Sequence, residues 1–147
     1  MKRNLRSFHP DDLNEMVTKP SQYMEHAWLL KQDWLQYWSI GGLGFSGVNS
    51  SRILFCGGCF PVWTGRSTAW FILDQDFDRF DLLWMVKRIR SFLENSMPDT
   101  VRRIDATARE DFPPGGRMLE MLGFEAEGLM KQYGPDGASH HLYARTI

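Results

Sequence analysis

Cys56-Gly57-Gly58-Cys59 has the CxxC spacing of a redox pair or of half a zinc site. A redox pair sits at a helix start, where the dipole stabilises the thiolate, whereas this one lies in a β-rich stretch and runs into Phe60 and Pro61. His140 and His141 would complete a tetrahedral zinc set only if the last strand crossed beside the cysteines. No metal is therefore expected, and the thiols read as buried side chains beside a glycine bulge. Gly42-Leu43-Gly44-Phe45-Ser46-Gly47 has the letters GxGxxG. A dinucleotide fingerprint needs a strand before the glycines and a helix after them, so that helix amides face the diphosphate. Here a helix precedes and strands follow, which fits a flexible helix-to-strand turn. No Walker-type loop, Ser/His/Asp order or glycosidase-like carboxylate couple stands out. Trp63, in a turn with Pro61, Thr64 and Gly65, is a ring placed to meet a ligand or partner. The other five tryptophans, Trp28, Trp34, Trp38, Trp70 and Trp84, fall at positions whose periodicity marks them for the core.

The charges exclude more than they assign. Seventeen Lys and Arg against eighteen Asp and Glu leave a formal net charge of -1 over 147 residues. That removes the single-sign field of most nucleic-acid binders. Arg102, Arg103 and Arg109 are interleaved with Asp99, Asp105, Glu110 and Asp111, and Lys87, Arg88 and Arg90 read as a solvated helix face, so nucleic acid is not favoured. Two cysteines exclude a disulfide-dense scaffold. The first ten residues carry charge without an apolar stretch, and no apolar run approaches the roughly 18 residues of a membrane helix. A cytoplasmic protein without a membrane partner is expected.

The elements that must position these residues follow from period and punctuation. A short strand is predicted over 5–8 and a short helix from Pro10 to about Val17, opened by Asp11 and Asp12 at the positive end of the dipole. Met24, Ala27, Trp28, Trp34, Leu35 and Trp38 mark a second helix after Ser21, ended by Gly41 and Gly42. Strands follow over 43–48, 52–60 and 67–73 as an antiparallel meander. Leu82, Met85, Val86, Ile89, Phe92 and Leu93 share one face of a helix over 78–95. A strand over 101–108 turns Ile104, Ala106 and Ala108 to one side and Arg103, Asp105 and Thr107 to the other. A helix over 113–122 stops at Gly123, and strands over 124–133 and 140–146 are joined by Gly134-Pro135-Asp136-Gly137. No repeat or long linker divides the chain. The expected fold class is α/β (α+β): one domain over 1–147, with a mixed central sheet of six to seven strands and about four helices.

This order, with the segment from Arg52 to Gly58, the strand ending Trp70-Phe-Ile-Leu-Asp, and Arg117-Met-Leu-Glu-Met-Leu-Gly-Phe-Glu before a final hairpin, resembles the GNAT N-acetyltransferase superfamily. The likeness covers nearly the whole chain in element order. It is specific at the helix ending Leu122-Gly123-Phe124-Glu125 and at the hairpin after it. The short length, the Trp-Phe-Ile strand and the late helix are also similar to small GNAT-like proteins of tailed phages.

The resemblance implies an acetyl-CoA co-substrate in a V-shaped opening between two parallel strands, expected to diverge near residues 72 and 105. Ile72 and Leu73 would offer backbone hydrogen bonds to the pantetheine. The turn holding Gln75, Phe77 and Asp78 would meet the phosphates at a helix N-terminus. The family's glycine-rich loop is replaced here by Asp74-Gln75-Asp76-Phe77-Asp78-Arg79-Phe80-Asp81. Four carboxylates would occupy the positive helix end, each opposing a phosphate charge by roughly 2 to 3 kcal/mol at about 6 Å before screening. Aligned on Gly123-Phe124, the family's proton-donating Tyr falls at Leu119 and its Asn near Phe112. An active version must recruit other groups: Asp105 as base, and Tyr133 or His140 as proton donor.

Two functions follow from the resemblance. One is N-acyl transfer from acetyl-CoA to an amine on a small molecule or protein. The alternative is a catalytically silent GNAT-like fold that binds a host or virion protein, with host cytoplasm or virion as its location. Homodimerisation through the Trp63 turn and the last hairpin is a further expectation.

Overall fold

The computed structural model of the chain describes residues 2–22, 26–27, 30, 43–50 and 52–147. In chain order the elements are β1 (Arg3–Ser7), α1 (Asp12–Glu15), a 3-10 turn (Pro20–Gln22), β2 (Leu43–Asn49), β3 (Arg52–Trp63), β4 (Arg66–Leu73), α2 (Arg79–Asn95), β5 (Arg103–Arg109), α3 (Pro113–Met121), β6 (Glu125–Met130) and β7 (His140–Thr146). The seven strands form one sheet in the order β1-β2-β3-β4-β5-β7-β6. It is mixed: β4 and β5 run parallel, while β1–β2, β2–β3, β5–β7 and β6–β7 run antiparallel. Three α-helices have both ends among the described residues. The helix predicted after Ser21, with Trp28, Trp34, Trp38, Gly41 and Gly42, lies mostly outside them; residues 26, 27 and 30 are helical.

The chain divides into two compact units. The first comprises Met1–Phe60 and Trp70–Asp81. Its core gathers Phe8, Leu13, Met16, Ile53, Cys56 and Ile72, with the half-buried Trp70 ring edge-on to Phe8 at 5.0 Å between centroids. A buried carboxylate ties α1 to the sheet: Asp12 accepts from both terminal nitrogens of Arg6 at 2.8 Å, from Ser46 Oγ at 2.7 Å and from the His9 amide at 3.1 Å. The GxGxxG letters have a packing explanation. Gly44 and Gly47 lie within β2, where a Cβ would run into Phe8 and Phe55 respectively. The bulge falls at Gly47/Val48 rather than in the CxxC segment. Gly57 and Gly58 hold regular register opposite Phe45 and Gly44, and Phe71 and the Leu43 carbonyl crowd the space a side chain there would fill.

The second unit comprises Pro61–Ala69 and Leu82–Ile147. β7 lies between β5 and β6 and pairs with β5 along the whole strand, from Arg103 opposite Thr146 to Arg109 opposite His140. Ile104, Ala106 and Ala108 are buried on one side of β5, as alternation predicts. Buried Met118 and Leu119 come from α3, and the half-buried Trp84 sits on α2. Gly123, at φ +92°, ends α3 in a Schellman arrangement: its amide reaches the Glu120 carbonyl at 3.0 Å, and the Phe124 amide reaches Leu119 at 3.0 Å.

Candidate active site

β4 and β5 pair over three residues only: Arg66 opposite Arg103, Ser67 opposite Ile104 and Thr68 opposite Asp105. The parallel contact therefore ends four positions before residue 72 on β4; this end of the pairing at Thr68 and Asp105 is termed the fork, and Ala69 and Ala106 are the next residues on their strands. Alternation puts Arg66, Thr68, Arg103, Asp105 and Thr107 on one face there. They line a cavity of about 670 Å³ together with Trp63, Arg102 and Tyr133.

Asp105 organises this cavity. It is 4% exposed and accepts from Arg66 Nε at 2.7 Å, Thr68 Oγ1 at 2.8 Å and Arg103 Nε at 3.4 Å. Burial pushes its carboxyl up, but those hydrogen bonds and the Arg66 charge outweigh burial and hold it below the usual carboxylate range. A carboxylate so fully engaged keeps its charge, which makes it a positioning group for two guanidiniums and a poor proton acceptor. Arg103 spends its other nitrogens on Glu127, at 3.1 and 2.6 Å. Arg66 lies under Trp63, 4.6 Å from the ring centre, and Trp63 is 61% exposed.

Tyr133 also lines the cavity, while His140 stands behind it with 5.3 Å between ring centroids. Two of the three catalytic residues expected from sequence thus share one cavity, and the third touches it through Tyr133. Burial, helped by the charge of Arg109, lowers the pKa of the His140 imidazole and favours its neutral form. Leu119 is buried and Phe112 caps α3 without a side-chain hydrogen bond, so neither position supplies a polar group. Sequence reasoning missed Tyr143. It sits opposite Ala106 on β7, just past the fork, and its hydroxyl packs on Gly116 of α3, where a Cβ would collide with it. The Gly115-Gly116 pair inside a helix was the available signal.

In the first unit, the β4 residues expected to hold a pantetheine are already engaged. Gln22 donates from Nε2 to the Phe71 carbonyl at 2.7 Å and accepts from the Leu73 amide at 2.8 Å. The Leu73 carbonyl takes the Thr18 hydroxyl at 2.8 Å and the Lys19 amide at 3.2 Å. Ile72 is fully buried in the core. The loop after β4 is equally self-contained. The Gln75 amide donates to Val17 at 2.7 Å, and the Phe77 amide donates to Asp74 at 3.0 Å while its ring packs edge-on to Phe55. Asp78 Oδ1 caps α2, accepting from the Phe80 and Asp81 amides at 2.8 Å each. Asp81 is held by Arg3 at 2.8 Å, and Asp74 by Arg52 at 3.4 Å. The helix end expected to bind a diphosphate is occupied by the chain's own carboxylate, so Gln75, Phe77 and Asp78 do not fit that group as arranged.

Burial pushes the Cys56 thiol up to about 12 and the Cys59 thiol up to about 11, so both stay protonated and are poorly suited to redox exchange. Among the described residues no group of three or more His, Cys, Asp or Glu could hold a metal ion. Arg109 is paired with Asp111 and Asp136. No helix among the described residues is long and apolar enough to cross a membrane.

No family model matches the chain, and no curated protein matches it in sequence. Solved structures do. Ard1 from Thermoplasma volcanium superposes with a TM-score of 0.73 at 15% identity, covering 99% of this chain and 97% of that one. The ribosomal-protein-S18-alanine N-acetyltransferase from Escherichia coli gives 0.70 at 17% identity, over 99% and 94%. A GNAT-family acetyltransferase from Bacillus anthracis gives 0.65 at 15%, over 99% and 95%. Its strand order, its short parallel β4–β5 pair and these likenesses together give this chain the fold of the GNAT-family acetyltransferases.

Proposed function

We propose that this chain transfers an acyl group from a thioester to an amine, with acetyl-CoA the donor that the fold implies. The observation that carries the reading is the three-residue parallel contact of β4 and β5. It ends at Thr68 and Asp105, on the face that lines the cavity. We place the thioester beside Ala69, where the paired contact has ended, with the amine approaching from the cavity. Transfer forms a C–N bond and breaks a C–S bond, so the amine must lose a proton and the sulfur must gain one. Tyr133, backed by the neutral His140, is our candidate path for the first proton. Tyr143, on the opposite face beside Ala106, is our candidate donor of the second. Asp105 keeps Arg66 and Arg103 in place.

The two ends of acetyl-CoA fare differently. The fork suits the thioester, whereas the capped and acidic start of α2 does not suit the diphosphate. S-acetylpantetheine, which keeps the thioester and the amide arm and lacks the diphosphate, should therefore serve as well as acetyl-CoA. The test is a thiol-release assay with each donor and a primary amine. Amine-dependent release with either donor supports the reading. No release, and no heat of binding for either donor near a millimolar, overturns it.

A further inference from the structure

We infer that the cavity selects an amine acceptor that also carries an oxyanion, a carboxylate or phosphate group, set a few bonds away from the reacting nitrogen. This names the acceptor class for the transfer proposed above and rests on that reading. Three guanidiniums line the cavity, those of Arg66, Arg102 and Arg103, and none can shed its charge. Arg103 is spent on Glu127 and Asp105. Arg66 spends only Nε, on Asp105, and its two terminal nitrogens have no hydrogen-bond partner among the described residues. Arg102 makes no side-chain hydrogen bond or ion pair among the described residues. Two carboxylates therefore answer three cations, and the unanswered donors belong to Arg66 and Arg102.

Both side chains line the cavity beside the turn between β3 and β4. The carbonyl of Gly65, a residue at φ +90°, accepts from the Arg102 and Arg103 amides at 2.9 and 3.0 Å. A Cβ on Gly65 would lie 2.7 Å from a terminal nitrogen of Arg102, so only glycine lets this guanidinium lie against the residue preceding Arg66. Trp63 covers Arg66 with an exposed ring. Two forked donors beside an indole form a site for a planar or tetrahedral oxyanion joined to an apolar chain.

The strand register sets the length of that chain. Ala69 lies three residues beyond Arg66, and Ala106 four beyond Arg102, on strands that advance about 3.3 Å per residue. The oxyanion site and the fork are thus separated by roughly 7 to 10 Å, once the inward reach of the guanidiniums is allowed for. An α-amino acid, with both groups on one carbon, is too short. An amine at the end of a flexible chain of five or so carbons spans the distance.

Fluorescence and calorimetric titrations of the full chain with 6-aminohexanoate, hexylamine, 5-aminopentylphosphonate and glycine test this. The carboxylate should bind at least about tenfold more tightly than hexylamine, and glycine weakly. Arg102→Ala should erase the difference with an unchanged thermal midpoint, because Arg102 pairs with no other side chain, and Arg102→Lys should retain part of it. Tighter binding of the phosphonate assigns a phosphate-bearing acceptor, and tighter binding of 6-aminohexanoate a carboxylate-bearing one. Equal binding of 6-aminohexanoate and hexylamine, or an advantage that survives Arg102→Ala, overturns the inference. The anion advantage without acyl transfer from either thioester would leave this site standing and remove the acyltransferase reading. Transfer to hexylamine as fast as to 6-aminohexanoate would do the reverse.

Discussion

Replacing Asp105 by Asn keeps the shape of the side chain and removes the charge that orients Arg66 and Arg103. Both arginines are partly exposed and can recover water, so the expected loss is about 2 kcal/mol in urea unfolding at neutral pH, below that for a fully buried pair. The sign of its pH dependence follows from a carboxyl that titrates below its ordinary 3.8 when folded. The stabilisation is complete above that value and lost as pH falls through the folded value, so wild type and Asp105→Asn should converge in acid. His140 gives a second test. Its pKa lies below 6.5, so if the neutral ring is needed the acid limb of kcat/KM should have its midpoint below 6.5 and vanish in His140→Gln. A limb unchanged in His140→Gln would exclude this imidazole. Alternation on β5 makes the polar face that carries Asp105 legible, and residue type alone singles out His140. The partners of Asp105 are not legible, because the three donors that engage it lie on β4 and β5 side by side, and nothing local in either segment records that pairing.

At the level of elements, the segment after α1 competes for the free edge of β4. A single Gln22 carboxamide satisfies the Phe71 carbonyl and the Leu73 amide, the same donor and acceptor that an amide-bearing arm would use. Each such bond is worth about 0.5 to 1.5 kcal/mol net, so Gln22→Ala should raise the affinity for S-acetylpantetheine about tenfold in calorimetry. Unchanged or weaker binding would show that the arm does not use this edge. The α3 exit offers a check on the fold itself. Gly123 adopts φ +92°, where a Cβ is strained, and Gly123→Ala should cost about 1 kcal/mol of stability by thermal unfolding. That glycine and its helix were readable in the sequence because a helix stop is a local signal. Gln22 was not, since its partners lie about fifty residues away and a glutamine carries no mark of the edge it will cover.

For the whole molecule, the boundaries of β2 to β4, α2, β5 and α3 follow from period, turn residues and caps within a few positions. The parallel β4–β5 pair was expected on resemblance rather than on any local pattern, and its early end at Thr68 and Asp105 had to be seen in three dimensions. The donor problem shows the same division. The acidic run from Asp74 to Asp81 is plain in sequence, whereas the capping of α2 by Asp78 and the pairing of Asp81 with Arg3 depend on contacts across the first unit. The central claim is that the fork receives the thioester end of a carrier. A crystal structure with a non-reactive thioether analogue of S-acetylpantetheine tests it most directly. The account predicts the analogue's carbonyl beside Ala69, beyond the Thr68–Asp105 pair. An analogue bound elsewhere, with β4 and β5 closed against each other past that pair, would contradict it.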